Sequence, residues 1–273
     1  MFGPLKIFTE KYFAVASTAS FSTSARYLWS IVVALPRIIK AKSLMPADAL
    51  MAGRMHAFDV EGGTVYWEGK FFDGAREIFC EKVYFARLDI NVRAGDFVVD
   101  LGAGVGDFAT LCAIRGAQVI SVEAQRGFIP VIQRHLKLNK VENRIIVEWG
   151  LIGGSRGFFS DEAKLKQSSH YENQEPPKLE LVSLLRKHGW ERIDLLKMDI
   201  EGSEFALFES GSEWLPFVNA ISMETHLDHG EVSDLIGALE KNGFETCHII
   251  RTSAPERSAN RIGFLFATRR RTK

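Results

Sequence analysis

The stretch Val98-Val99-Asp100-Leu101-Gly102-Ala103-Gly104-Val105-Gly106-Asp107 constrains the fold of this chain more than any other. Apolar residues run up to an acidic one, and glycines follow at alternate positions. The pattern predicts a buried parallel strand that ends in a tight turn and opens into a helix. Such a turn calls for glycine, because a Cβ would intrude where the backbone approaches a ligand. The helix start adds unpaired N–H groups and a dipole that favour anionic parts of that ligand. A dinucleotide-binding turn reads G-x-G-x-x-G. Here the third glycine comes one position early, and Asp107 stands in its place.

Around this turn the chain alternates. Strands are predicted at 97–101, 118–123, 144–151, 193–200, 218–224, 245–251 and 262–268, with helices at 105–115, 128–139, 181–188, 203–210 and 231–241. Alternation of this kind builds a mainly parallel sheet with helices on both faces. The last two strands have no helix between them and can pair as an antiparallel hairpin. Residues 153–177 read as a long polar loop. With the N-terminal region, it is the expected lining of a substrate pocket. Upstream, residues 1–54 read as a helical extension. Residues 55–95 read as a lead-in, with a hairpin turning at Gly62-Gly63 and a helix at 75–87. The α/β domain then occupies 96–273.

Composition narrows the function classes. Lys plus Arg and Asp plus Glu number 34 each, so no net charge draws the chain to nucleic acid, and no nucleic-acid partner is expected. Cys80, Cys112 and Cys247 lie far apart with no C-x-x-C spacing. That argues against disulfides and zinc and fits a reducing, cytoplasmic setting. No run approaches the roughly 20 apolar residues of a membrane span. The nearest, residues 28–35, contains Trp29, is ended by Pro36 and has Arg26, Arg37 and Lys40 as basic neighbours. Such a helix could lie on a membrane surface. Packing on its own domain is the expected outcome, so membrane contact by residues 26–40 is not expected. The basic tail from Arg269 reads as a solvated end. Oligomeric state is left open.

In an open α/β sheet, ligands bind at the carboxyl ends of the strands where strand order reverses. Asp100 and the glycines end the first strand. Glu123 ends the second, about 20 residues after the turn, where a carboxylate can take both hydroxyls of a ribose. The fourth ends in Lys197-Met198-Asp199-Ile200-Glu201-Gly202-Ser203-Glu204. Lys197 and Asp199 share a strand face. A buried lysine needs a nearby carboxylate, and Asp199 is one candidate. Glu201 and Glu204 fall three apart in the first turn of the next helix. Glu224 and His226 end the fifth strand on one face, and a histidine there could serve as general base.

Together these segments resemble the FkbM family of S-adenosylmethionine-dependent methyltransferases. The resemblance rests on residues 99–106, on Val122-Glu123-Ala124, on Asn139, on residues 194–204 and on Met223-Glu224-Thr225-His226. It covers residues 96–230 well and departs at Gln125, where the family often has proline. It implies a Rossmann-like seven-stranded methyltransferase sheet, mainly parallel with an antiparallel C-terminal hairpin, plus the helical N-terminal extension. It further implies S-adenosylmethionine held by Asp100, Gly102, Ala103, Gly104, Gly106, Glu123 and Ala124. The implied reaction is methyl transfer to a hydroxyl oxygen of a sugar, polyketide or similar small metabolite. Asp199 or His226 would take the acceptor proton, with Glu201 and Glu224 orienting the acceptor or Lys197. Asp199, Glu201 and Glu224 could hold a divalent ion, which is not expected. The alternatives are an NAD-dependent oxidoreductase or epimerase, and a non-catalytic scaffold docking through its N-terminal helices.

Overall fold

The structure, a computed structural model, describes residues 3–153, 175–250 and 262–270. Helices α1 (Gly3–Thr18) and α2 (Phe21–Ala41) lead the chain. Ser20 caps α2 by accepting a hydrogen bond from the N–H of Thr23, which satisfies one of the orphan donors of a helix start. A hairpin of β1 (Met55–Val60) and β2 (Gly63–Glu68) follows; it turns at Glu61-Gly62, one position before the expected Gly62-Gly63, because Gly63 pairs with Val60.

The main sheet has seven strands: β3 (Phe97–Leu101), β4 (Gln118–Glu123), β5 (Ile145–Trp149), β6 (Ile193–Met198), β7 (Val218–His226), β8 (Phe244–Ile250) and β9 (Ile262–Arg269). Their order is β5-β4-β3-β6-β7-β9-β8. The first five are mutually parallel, and β9 runs antiparallel to both β7 and β8. Helices α3 (Asp107–Ile114), α4 (Ile129–Asn139), α5 (Leu181–Lys187), α6 (Ser203–Glu209) and α7 (Val232–Lys241) flank it. This is the Rossmann-like methyltransferase sheet. Strand order reverses between β3 and β6, so a crevice opens at their carboxyl ends.

Side-chain alternation along the strands divides the core in two. Val98, Val119 and Leu195 pack with α2 and the hairpin, among them Tyr27, Phe58 and Trp67. Val99, Ile120 and Leu196 pack with Leu184, Leu215 and Leu239 on the other face. Asn139 ties hairpin to domain: its carboxamide accepts from the N–H of Tyr66 at 2.7 Å and donates to the carbonyl of Tyr66 at 3.0 Å.

Three expectations are corrected. The helix at 75–87 is instead one α turn (Phe72–Ala75), a π turn (Arg76–Cys80) and a 3-10 turn (Val83–Phe85), broken where Lys82 adopts φ 51°. The cause is tertiary. Arg76 turns inward to a buried ion pair with Asp48 at 3.0 Å, and Tyr27 also donates to Asp48 at 2.9 Å. Arg269 is not a solvated end. Its guanidinium donates to the carbonyls of Val218, Asn242 and Leu215 and covers the ring of Phe244. The apolar run 28–35 packs on its own domain only through Ser30, Ile31 and Ala34, while its larger residues Leu28, Trp29, Val32, Val33 and Leu35 are exposed. Most of the loop at 153–177 lies outside the described residues.

Candidate active site

The glycine turn is built by close backbone approach. The N–H groups of Gly102 and Ala103 both donate to the carbonyl of Val122 at 3.0 Å, which folds the end of β3 over β4. Gly102 adopts φ 73°, and a Cβ there would lie 1.7 Å from the carbonyl oxygen of Asp199. Gly104 adopts φ 54° and faces open space, with nothing within 4 Å of an added Cβ. Gly106, at φ 83°, starts α3 and rests on Ile132. His135 braces the turn from behind, with Nδ1 at 2.8 Å from the carbonyl of Val105 and its ring stacked on Trp67. The three glycines thus have distinct duties, and only Gly104 leaves a cradle for a ligand.

Two cavities meet at this turn. The first, about 220 Å³, lies over β3 and β4 and is lined by Glu123, Ala124, Gln125, Phe128, Leu151 and Ile152, among others. The second, about 300 Å³, lies toward the lead-in segment. Its wall includes Ala103 and five acidic residues, Asp73, Glu77, Asp107, Asp199 and Glu224, against the single cation Lys197. Gly102, Gly104 and Asp199 line both cavities.

Glu123 is buried at the floor of the first cavity. One carboxylate oxygen accepts from the N–H of Gly104 and the other from the N–H of Gln125, each at 2.7 Å. Burial pushes its carboxyl up to about 7 against the pull of those two donors. Each oxygen keeps acceptor capacity for a hydroxyl. The carboxylate, the open Gly104 and the apolar side walls fit a nucleoside.

Asp100 lines neither cavity. It is fully buried and forms an ion pair with Lys197 at 3.0 Å. Its expected contact with the cofactor is therefore replaced by a structural one: it is the charge partner of Lys197. The lysine also donates to the carbonyl of Gly102 at 2.7 Å and lies over the ring of Tyr84. Burial opposes its charge, but Asp100 and Asp199 hold it protonated.

Asp199 follows β6 directly, pinned by its N–H to the carbonyl of Leu101. Tyr84 donates to its carboxylate at 2.9 Å. Tyr84 was not legible as a site residue, because it comes from the lead-in segment more than a hundred positions upstream and reads there as one apolar residue among several. Asp73 and Glu77 reach the second cavity from the same segment.

Glu201 is not in the first turn of α6, as its spacing suggested. It precedes the helix at φ 54°, a left-handed conformation, and Gly202 occupies the cap. Even so, Glu201 and Glu204 both meet His226, at 3.4 Å on Nε2 and 3.0 Å on Nδ1. Burial alone would lower the imidazole, but the hydrogen bonds to Glu201 and Glu204 push it up to about 11. Both ring nitrogens thus face carboxylates, an arrangement that favours the imidazolium over the neutral ring a general base needs. Among the described residues, Asp199, Glu224 and His226 bring one ligand atom each within 4.8 Å of one another. The set differs from the one expected, with His226 in place of Glu201. A metal held by these three atoms would displace the proton from His226.

The profile of the methyltransferase FkbM domain matches residues 100–246. The tRNA (guanine(37)-N(1))-methyltransferase Trm5b of Methanocaldococcus jannaschii is 34% identical over 73 residues. That match takes in 24% of this chain and 21% of the relative, so the chain spans about a fifth of that protein. Among solved structures, the methyltransferase domain of METTL16 aligns with a TM-score of 0.45 and 13% identity over 72% of this chain and 67% of that one. A tRNA methyltransferase of M. jannaschii aligns with a TM-score of 0.43 and 16% identity over 80% and 57%.

Proposed function

The chain belongs to the FkbM methyltransferase family, and from that premise we propose that it methylates a hydroxyl oxygen of a small, uncharged or cationic acceptor, with Asp199 as the base. The observation that carries this reading is the position of Asp199, a carboxylate at the junction of the two cavities. S-Adenosylmethionine supplies a sulfonium-bound methyl group, whose C–S electron pair leaves with sulfur. Glu123 takes the ribose hydroxyls, and Gly104 gives the donor room to approach the backbone. The acceptor lies in the second cavity, its hydroxyl toward Asp199. As the acceptor oxygen bonds to the methyl carbon, Asp199 receives the hydroxyl proton and later gives it to water. Tyr84 and Lys197 hold the Asp199 carboxylate and the backbone of the turn in place, so alignment is set before reaction. His226, clamped by Glu201 and Glu204, keeps a fixed positive charge beside the acidic wall.

The acidic lining of the second cavity favours a small acceptor over nucleic acid. A phosphate backbone is drawn by Lys and Arg, whereas the carboxylates of this wall repel it. The family match leaves the oxidoreductase reading without support. Labelled-methyl transfer to a panel of sugars, polyketide alcohols and a transfer-RNA pool tests the proposal. Label is expected in hydroxylated small molecules, and Asp199→Asn is expected to lower kcat by about 10²–10⁴ with little change in S-adenosylhomocysteine affinity. Label in RNA alone, or full activity in Asp199→Asn, would overturn it.

A further inference from the structure

Helix α2 is packed inside out. The face it turns to the protein carries Thr23, Ser24, Ser30 and Ala34, with Tyr27 and Ile38. The face it turns to solvent carries Phe21, Leu28, Trp29, Val32, Leu35 and Ile39. At 3.6 residues per turn these six fall within a sector about 120° wide. Phe21 is 89% exposed, and Val32 and Ile39 more than 60%. A helix that only had to cover its own domain would bury its larger apolar face. A contiguous outward apolar sector marks an interaction surface.

Charge identifies the occupant. From Lys11 to Ala47 the sequence has five basic residues and no acid. One of them, Lys11, is engaged by Glu81. Arg26, Arg37 and Lys40 fall along one border of the apolar sector, and Lys42 follows the helix at its C-terminus. A second copy docked by the same face would bring two sets of like charges together. An apolar stripe bordered by Arg and Lys, with a tryptophan in it, matches the boundary between acyl chains and anionic headgroups. We propose that α2 docks this protein on a membrane surface bearing anionic phospholipid, lying in the interface without crossing it. No helix among the described residues is long and apolar enough to span a membrane. The docked helix is rigidly joined to the site: Tyr27 and Arg76 share Asp48, and Arg76 lies next to Glu77 of the second cavity.

Flotation of the full chain with vesicles tests this. The chain is expected to float with phosphatidylcholine vesicles containing phosphatidylglycerol, to float far less with phosphatidylcholine alone, and to be released by salt. Trp29→Ser/Val32→Ser/Ile39→Ser is expected to cut binding at least about tenfold. Arg26→Glu/Arg37→Glu/Lys40→Glu is expected to cut it by about fivefold or more for each residue. These positions are exposed or half-buried, so thermal unfolding of the variants should match the parent. A readout that needs no triple variant is quenching of tryptophan fluorescence by brominated lipid, expected in the parent and lost in Trp29→Phe. Unchanged flotation of the serine variant, or no flotation of the parent with anionic vesicles, would overturn the proposal. If the parent instead is a dimer that the serine variant converts to monomer, the face belongs to a second copy and the proposal fails.

Discussion

Asp100 and Lys197 are register partners on adjacent parallel strands, β3 and β6, and their side chains form a buried ion pair at 3.0 Å. The pair sits at the point where strand order reverses, beneath the glycine turn. It fixes the ends of both strands relative to each other, because Lys197 also bonds the carbonyl of Gly102. Removing one partner leaves the other charged and buried. Lys197→Met is therefore expected to destabilise the fold by about 3–5 kcal/mol, read by urea unfolding. Lys197→Met/Asp100→Leu should recover much of that loss, since neither charge then remains. Equal destabilisation in single and double variants would show that the pair is not what holds the strand ends.

The glycines separate stability from binding. Gly104→Ala meets no atom and costs only the left-handed backbone, about 1 kcal/mol. It places a methyl group where the two cavities meet, so S-adenosylhomocysteine affinity should fall at least about tenfold in calorimetry while the fold persists. Gly102→Ala drives its Cβ into the carbonyl of Asp199 and should leave little folded protein at all. A well-folded Gly102→Ala with parental affinity would refute the close approach.

The sheet was legible because its signals are local. Apolar runs bounded by the 102–106 glycines and by Glu123 announce where strands end, and the observed bounds of β3 and β4 match. The ligand edge was legible for the same reason: Glu123 ends β4, Asp199 follows β6 directly, and Glu224 lies two residues from the end of β7. What escaped depends on contacts between distant segments. Asp199, the candidate partner of Lys197 on the same face, lies two residues along one strand, roughly 6–7 Å away, whereas strands pair at about 4.8 Å. The cross-strand carboxylate of Asp100 is nearer, and the sequence carries no register. The kinked lead-in escaped because the Asp48–Arg76 pair spans 28 positions and overrides helix periodicity. Tyr84, Asp73 and Glu77 line the second cavity from that same segment.

Glu123 makes cofactor affinity depend on pH. A carboxylate accepts two hydroxyls better than a carboxylic acid does, and burial lifts Glu123 to about 7. S-Adenosylhomocysteine affinity is expected to rise by up to about tenfold per pH unit as pH approaches 7 and to level off above it. Glu123→Ala should weaken binding severely and flatten the profile. The same shift works against the empty fold. The folded state holds the proton where the unfolded chain, near 4.5, has lost it, so stability falls by about 3 kcal/mol as pH rises from 4.5 to 7. A pH-independent affinity in the parent would remove Glu123 from the ribose role.

His226 should behave in the opposite sense. Its imidazole, at about 11 in the folded chain, lies far above the 6.5 of an unperturbed histidine. Protonation favours the fold, so the stabilisation is complete below pH 6.5 and is lost as pH rises through about 11. Glu204, fully buried, contributes more of it than Glu201, which is 58% exposed and screened by solvent. His226→Gln is accordingly expected to cost about 3–5 kcal/mol at neutral pH, with the deficit shrinking toward pH 11. Nitrogen chemical shifts of the imidazole should report both ring nitrogens protonated at pH 9. The rate–pH profile of methyl transfer should likewise show no limb from this histidine near 6.5. A titration of His226 near 6.5 would return it to the candidates for general base and take that role away from Asp199.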